Sequence, residues 1–482
     1  MPIDNNFIVA IELGSSKVTA LAGRKEPDGA IHVLAYVQEP SESFIRKGRI
    51  NNINKMIQCI SNIKEKLEKK LQKTISRVYV GIGGMGMHTV SNTVTRQFPE
   101  KTIITTEIID NIADTNRAAS TTEREILEAV QQEYKLGTQQ QLDPVGIPTE
   151  CIEGHFLNIV ANASMREDVL NCFRTAGVGI ADLPITVLAL ANIMLTESEK
   201  RSGCVFVDMG AETTSVAVFK NNLLRHLAVI PLGGANINRD IASLQIEDKE
   251  AEALKLRYGT AFLPVGDDDT EEPHDPIKLE DGRLVSHEEL CRLIEARMEE
   301  IILNVNHQIE LSGYDKSLLI GGLVATGGAS HIKDIEKAFE TFTGFSKMRF
   351  VNKGKLTLRP NSSEFNRDGS FNGVLAIIDE AQENCCGGNI GDNVPDIFEA
   401  EERRRKEKEL EEKKREEEEL QRQAEEEERL RKEQEEAEEQ MRKARKSAKW
   451  KKTWRKIITF ATNVVSEEDN MTPTRQEDNK EE

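Results

Sequence analysis

Apolar positions along the first 390 residues fall into two alternating patterns. Short runs rich in Val and Ile that end at or near glycine predict strands: FIVAIEL (7–13), RVYVGIG (77–83), HFLNIVA (155–161), CVFVDMG (204–210) and SLLIGGLVATGG (317–328). Between them, NKMIQCISNIKEKLEKKLQK (54–73) and HEELCRLIEARMEEIILNVNHQIE (287–310) repeat apolar residues every three or four positions, which predicts helices. Such alternation is the mark of an α/β fold. Within 261–283, the stretch GDDDTEEPHDP interrupts both patterns with acid and proline and reads as a flexible surface excursion.

From about 397 to 446 the apolar pattern disappears into an almost wholly charged stretch. Its apolar residues, Leu410, Leu420, Ala424, Leu430, Ala437 and Met441, never settle into heptads, so a coiled coil is not supported. Glu and Lys/Arg four apart recur, as in Glu401–Arg405, Glu409–Lys413 and Glu411–Arg415. Such pairs favour one extended helix, of about 75 Å, over a disordered tail. Either form is a spacer. A different pattern follows in SAKWKKTWRKIITFATNVV (447–465), which holds both tryptophans of the chain. At 100° per residue Trp450, Trp454, Ile457, Ile458, Phe460, Ala461, Val464 and Val465 share one face; Lys451, Lys452, Arg455 and Lys456 take the other. Nine basic and no acidic residues lie between Arg442 and Lys456. That helix suits an anionic lipid surface, with tryptophan at the headgroups and cations beside the phosphates. Packing back on the globular part, a calmodulin-like target and a nucleic-acid arm are its other readings. An acidic tail, 466–482, closes the sequence.

Composition narrows the class. The chain has 482 residues, a formal charge of −19 and 38% hydrophobic residues, enough for two or three domains and unsuited to general nucleic-acid binding. Seven scattered cysteines without C-x-x-C spacing suit reduced thiols better than disulfides or zinc. No apolar run approaches twenty residues and the N-terminus has no basic leader, so a soluble cytoplasmic chain is expected.

Candidate chemistry comes from a repeat. Residues 7–20, FIVAIELGSSKVTA, run strand, Glu12, Leu13, Gly14, two hydroxyls, Lys17, strand. Residues 205–219, VFVDMGAETTSVAVF, run strand, Asp208, Met209, Gly210, a polar turn through Thr213 and Thr214, strand. A glycine turn lets backbone N–H groups approach a phosphate, hydroxyls add donors, and an adjacent carboxylate can hold Mg²⁺ through water. Two such hairpins about 195 residues apart would clamp a triphosphate. A third element, GGLVATGGASHI, offers Gly327, Gly328, Ala329 and Ser330 between a strand and a helix, bare backbone suited to an adenine ring.

In this order the three elements resemble the actin/Hsp70/hexokinase type of ATPase. The stretches PLGGANINRDIA (231–242), AEALKLRYGT (251–260), EARMEEI (295–301) and TGGASHI further resemble the bacterial cell-division protein FtsA, over residues 7 to about 380. The resemblance implies an α/β actin-like ATPase fold with two RNase H-like lobes and an FtsA-type inserted subdomain, followed by the long charged helix and the C-terminal amphipathic helix. On that plan residues 1–83, 166–198 and 346–390 form the first lobe, 84–165 the insertion, 199–345 the second lobe, 391–446 the linker, 447–465 the membrane helix and 466–482 the tail. The resemblance implies that ATP or ADP binds with Mg²⁺ held by Glu12 and Asp208. Gly14, Ser15, Ser16, Lys17, Gly210, Ala211, Thr213, Thr214, Gly233 and Gly234 would meet the phosphates, and Glu252 and Lys255 the ribose and purine. It also implies a peripheral protein at the cytoplasmic face of the cell membrane, at the division septum. Its partners would be itself as a homopolymer, the tubulin-like division protein FtsZ, later divisome proteins and anionic membrane lipid.

The sequence also departs from the pattern. Actin-like ATPases usually carry Asp at the first acidic position, where this chain has Glu12. The second turn reads DMGAETTS in place of D-x-G-G-G-T-T-D, with Glu212 for a glycine and Ser215 for the last acid. Serine is no base near neutral pH without an activating partner; no catalytic residue is assigned, and Glu212 could substitute as a base or could repel the γ-phosphate. Binding without appreciable hydrolysis is the expectation. The alternatives are a pilus-assembly type of actin-like ATPase, or a sugar-kinase-like phosphotransferase using Asp182 as base; an Hsp70-like chaperone would need a β-rich domain after the fold.

Overall fold

A computed structural model describes residues 7–119, 124–263, 275–360, 365 and 368–386, then 422, 431–432, 442–443, 445–446 and 449–456. It divides into two units, 1–400 and 401–482. The first unit is built on two sheets. One has six strands in the order Gly179–Asp182, Arg77–Gly81, Ile8–Leu13, Lys17–Lys25, Ile31–Pro40, Leu358–Pro360. The other has nine and begins Met348–Phe350, Gly322–Thr326, Cys204–Met209, Thr214–Lys220, Leu223–Ile230. It continues through His88–Ile103, Pro148–Asn162, Arg124–Leu136 and Gln139–Gln141.

The unbroken apolar runs are explained by burial on both faces. Along Cys204–Met209, the side chains of Cys204 and Phe206 enter the core shared with the six-stranded sheet, while Val205, Val207 and Met209 enter a second core under the helices of the second lobe. The helix Ile53–Leu71 shows the other period. Met56, Cys59, Ile60, Ile63 and Leu67 are its buried stripe, Asn52 caps it by accepting from the Lys55 N–H, and left-handed Gln72 (φ 53°) ends it.

Residues 88–162 form a subdomain with its own core of Ile104, Ile112, Tyr134, Leu136, Ile152 and Phe156. The helix Thr106–Arg117 lies over Gly154, where a Cβ would stand 2.7 Å from Ile112. Asn116 and Asn158 exchange amide hydrogen bonds inside it, at 2.7 and 2.9 Å. The subdomain joins the second lobe where His88 pairs in register with Ala228, and Leu157, Ile159 and Ala161 of its strand Pro148–Asn162 enter the same buried core as Leu224 and Leu227. Arg225, which holds both carboxylate oxygens of Glu133, and Thr89, bonded to the Leu227 backbone, brace that join.

Two boundaries move. The stretch 317–328 is not one strand: Lys316–Leu318 is a 3₁₀ turn and the strand begins at Gly322, whose φ of +81° and contact with the Lys347 carbonyl leave no room for a side chain. The second lobe also extends past 345, because Met348–Phe350 pairs parallel with Gly322–Thr326. All seven cysteines are free thiols. Among the described residues no helix is long and apolar enough to cross a membrane. Of the acidic excursion within 261–283, residues 264–274 lie outside the described residues, while in its C-terminal flank Ile277 and Leu279 are buried and Ile277–Lys278 pairs with Leu284–Val285. Most of the charged spacer and the acidic tail also lie outside the described residues.

Candidate functional site

Both predicted hairpins form, with the same count. Leu13 pairs with Val18 and Met209 with Thr214, so Gly14–Lys17 and Gly210–Thr213 are four-residue turns at the ends of equivalent strand pairs. Neither glycine tolerates a side chain. A Cβ on Gly14 would stand 2.6 Å from the Lys17 carbonyl oxygen, and one on Gly210 2.9 Å from that of Thr213. Backbone is thereby left bare where an anionic ligand would approach.

Glu12 and Asp208 lie two residues before those glycines, registered with Thr19 and Ser215. Burial, then repulsion from Asp208, pushes the Glu12 carboxyl up to about 7, with Lys17 opposing. Burial pushes Asp208 up to about 6. Each carboxylate rests on a glycine. That of Glu12 lies against Gly373, in the first turn of the helix Asn372–Glu380, and Asp208 Oδ1 would be 2.7 Å from a Cβ on Gly327. The extra methylene of Glu12 relative to Asp is accommodated because Gly373 has no side chain. Two partly buried like charges held together are relieved by a divalent cation, so the pair fits Mg²⁺ held through water.

The residues expected at the nucleoside are also brought close to one another. Lys255, buried, donates to Glu252 at 2.6 Å and to the Gly234 carbonyl at 3.2 Å. Glu252 accepts from Asn238 Nδ2 at 2.5 Å, and Asn238 Oδ1 is buried with no hydrogen-bond partner among the described residues. Gly328 has open space where a Cβ would be, while Ala329 packs against Gly234. The residues from Gly328 to His331 form a 3₁₀ turn rather than the start of an α-helix.

Several residues predicted to contact nucleotide have their polar groups bonded within the turns. The Thr214 hydroxyl is buried and donates to the Leu232 carbonyl at 2.9 Å. Ser330 donates to the Gly327 carbonyl at 2.7 Å. Gly233 and Gly234 grip the second turn: the Gly234 and Ala235 N–H groups donate to the carbonyls of Gly210 and Ala211, at 3.0 and 2.7 Å. Ser15 accepts from the Gly48 N–H at 2.8 Å, and Ser16, exposed, offers its carbonyl to the Ser41 N–H. Lys17, Ala211 and Thr213 are partly exposed at the two turns.

Glu212 is not a free base. Its buried carboxylate accepts from Arg46 at 3.0 Å, Arg239 at 2.6 Å and the Lys47 N–H at 2.7 Å. Asp182 is exposed at the end of its strand and accepts from the Leu183 N–H at 2.8 Å. Sequence reasoning missed Ser41, whose hydroxyl donates to the Gly14 carbonyl at 2.6 Å, and also Arg46, Asn238, Arg239 and Gly373. Asn238 and Arg239 sat inside a motif already noticed; Gly373, distant in sequence, had no local signal.

In the second unit, residues 449–456 are helical. Trp450 and Trp454 stack on one side of that helix, with ring centroids 5.3 Å apart and planes 7° from parallel, and are 66% and 51% exposed. Lys451, Lys452, Arg455 and Lys456 are exposed too; Ile457, Ile458, Phe460, Ala461, Val464 and Val465 lie outside the described residues.

Comparison with known proteins gives the family. The family described as "Cell division protein FtsA" matches residues 205–367, and "SHS2 domain inserted in FTSA" matches 84–160. A cell division protein FtsA of Neisseria meningitidis is 30% identical over 352 residues, covering 70% of this chain and 83% of the relative. One of Porphyromonas gingivalis is 28% identical over 344 residues, covering 70% and 71%. A solved PilM-PilN type IV pilus biogenesis complex superposes with a TM-score of 0.53 at 14% identity, covering 77% of this chain and 97% of that one, a likeness of fold alone. The architecture is the actin-like ATPase fold with an inserted SHS2 domain, and the chain belongs to the FtsA family of cell division proteins.

Proposed function

We propose that this chain binds ATP or ADP with Mg²⁺ between the Gly14 and Gly210 turns and serves in cell division as a membrane-bound, self-assembling scaffold. The observation that carries the nucleotide reading is the Glu12–Asp208 pair, set at equivalent positions of two matching turns and charged only at a cost. Bound Mg²⁺ would supply the positive charge that neutralises these carboxylates and the phosphates together. Lys17 adds a cation at the first turn, and the bare backbone of Gly14 and Gly210 lets a phosphate chain approach. Lys255, Glu252 and Asn238 receive the nucleoside at the second lobe. With Glu212 bound to arginines and Ser215 paired opposite Asp208 in the strand after the turn, no side chain among the described residues at the turns is poised to activate water, so nucleotide acts as a conformational ligand.

The C-terminal helix supports the membrane half. Exposed stacked tryptophans beside Lys451, Lys452, Arg455 and Lys456 match the chemistry of an anionic lipid interface, at about 1 kcal/mol per basic residue. In this reading the protein sits at the cytoplasmic face of the cell membrane at the septum. It anchors FtsZ there and recruits later division proteins through the insertion. The test is co-sedimentation of the full chain with anionic vesicles, with and without Mg-ATP, beside Trp450→Asp/Trp454→Asp. Pelleting by the wild type alone supports the anchor; a double variant that pellets equally removes the helix from the account.

A further inference from the structure

Consecutive peptide N–H groups of one loop reach both phosphate turns. The Gly48 N–H donates to Ser15 Oγ of the first turn at 2.8 Å, and the Lys47 N–H to Glu212 Oε2 of the second at 2.7 Å. The loop is firmly set. Lys47 and Gly48 are both left-handed, at φ 50° and 74°, and Gly48 is so close to Gly84 that a Cβ would stand 2.5 Å from its Cα. The Glu212 carboxylate therefore lies in the gap between the turns, one peptide unit from the group that meets Ser15.

Its surroundings are those of a bound phosphate. Two guanidiniums, from Arg46 and Arg239, and a backbone N–H converge on a buried anion, and Arg46, Lys47, Arg49, Glu212 and Arg239 line a cavity of about 590 Å³. Guanidinium forks and backbone N–H groups are what proteins use to hold phosphate oxygens. In this chain a side chain fills that anion position.

We propose that Glu212 makes the site select a nucleoside diphosphate over a triphosphate, because its carboxylate occupies the position a third phosphate would take. The inference rests on the nucleotide reading above. A third phosphate must either lie beside a buried like charge or displace Glu212 from three donors, and both are unfavourable. A diphosphate, ending short of that position, meets neither obstacle.

The experiment is titration of the full chain and of Glu212→Gln and Arg46→Gln with Mg-ADP and with the non-hydrolysable triphosphate Mg-AMPPNP, by calorimetry. The wild type is expected to bind ADP at least about tenfold more tightly, a coupling of ordinary size. Glu212→Gln, which keeps the shape and removes the charge, should erase the difference by tightening AMPPNP. Arg46→Gln, which removes a cation that a third phosphate would need, should widen it. Equal affinities in the wild type overturn the proposal, as does a ratio unmoved by Glu212→Gln while both ligands bind. A variant that weakens both ligands alike shows a structural brace and also overturns it. If neither ligand binds the wild type, the nucleotide reading itself falls.

Discussion

Glu12 and Asp208 hold the same place in two hairpins, each two residues ahead of the glycine that opens its turn, and the charge on Asp208 helps keep the Glu12 proton in place. The consequence is a pH dependence with a defined sign. Both folded-state values are raised, to about 7 for Glu12 and about 6 for Asp208, so between about pH 4 and 7 the native form holds protons that the unfolded chain has released. The stability this confers is present at the acid end of the window and is lost as pH rises through it. Glu133, held low first by its hydrogen bonds from Arg225, acts in the opposite sense but below the ordinary carboxylate range. Nucleotide-free Glu12→Gln should therefore exceed the wild type in stability at pH 7.5 by on the order of 1–3 kcal/mol, with the gap closing by pH 5. Thermal melts at the two pH values decide it; parallel curves would show that Glu12 titrates normally.

Gly373 makes the room that the longer Glu12 side chain needs. Gly373→Ala should cost about 1–3 kcal/mol through overpacking and, by displacing the carboxylate, weaken Mg-nucleotide binding. Pairing it with Glu12→Asp, one methylene shorter, should restore part of both. Urea denaturation and nucleotide titration of the two variants measure this, and a double variant no better than the single one would refute the steric account.

In the insertion, Asn116 and Asn158 satisfy each other in a buried setting, with Asn92 adding a third bond at 2.8 Å. Asn116→Ala strands the Asn158 amide and should destabilise by about 1–3 kcal/mol. Asn116→Leu/Asn158→Leu, which removes both polar partners, should be milder than the single change. Protease resistance of the insertion and urea melts test the order; a double variant worse than the single would show that the pair is worth more than its mutual satisfaction.

The two tryptophans of the chain are both in the C-terminal helix, so excitation selective for indole reports that helix alone. Added anionic vesicles should shift the emission to the blue, as exposed rings enter the headgroup region, and salt should reverse part of the shift. Neutral vesicles should produce less. An emission spectrum indifferent to lipid would disconnect these rings from any membrane.

How much of this was legible depends on how local each feature is. The turns at Gly14 and Gly210 were readable because strand, acid and glycine are contiguous, and the hairpin register follows from them. The helix Ile53–Leu71 was readable from the spacing of Met56, Ile60, Ile63 and Leu67. What escaped was long-range. Gly373 meets Glu12 across about 360 residues, and Arg46 meets Glu212 across 166. Thr214 was misjudged for a related reason: its type suits a phosphate, yet strand alternation turns it inward to the Leu232 carbonyl. The early start of the 317–328 strand was an error of pattern, since the apolar residues there also suit the 3₁₀ turn that precedes Gly322.

Ala228 and His88 form the in-register pair that carries the nine-stranded sheet from the second lobe into the insertion. The join does not rest on that pair alone: Leu157, Ile159 and Ala161 of the insertion's strand Pro148–Asn162 are buried in the same core as Leu224, Leu227, Phe206 and Ala217 of the second lobe. Arg225 and Thr89 tie the flanking strands. A load taken up at the far edge, near Gln139–Gln141, therefore meets packed side chains shared with the sheet that carries Asp208.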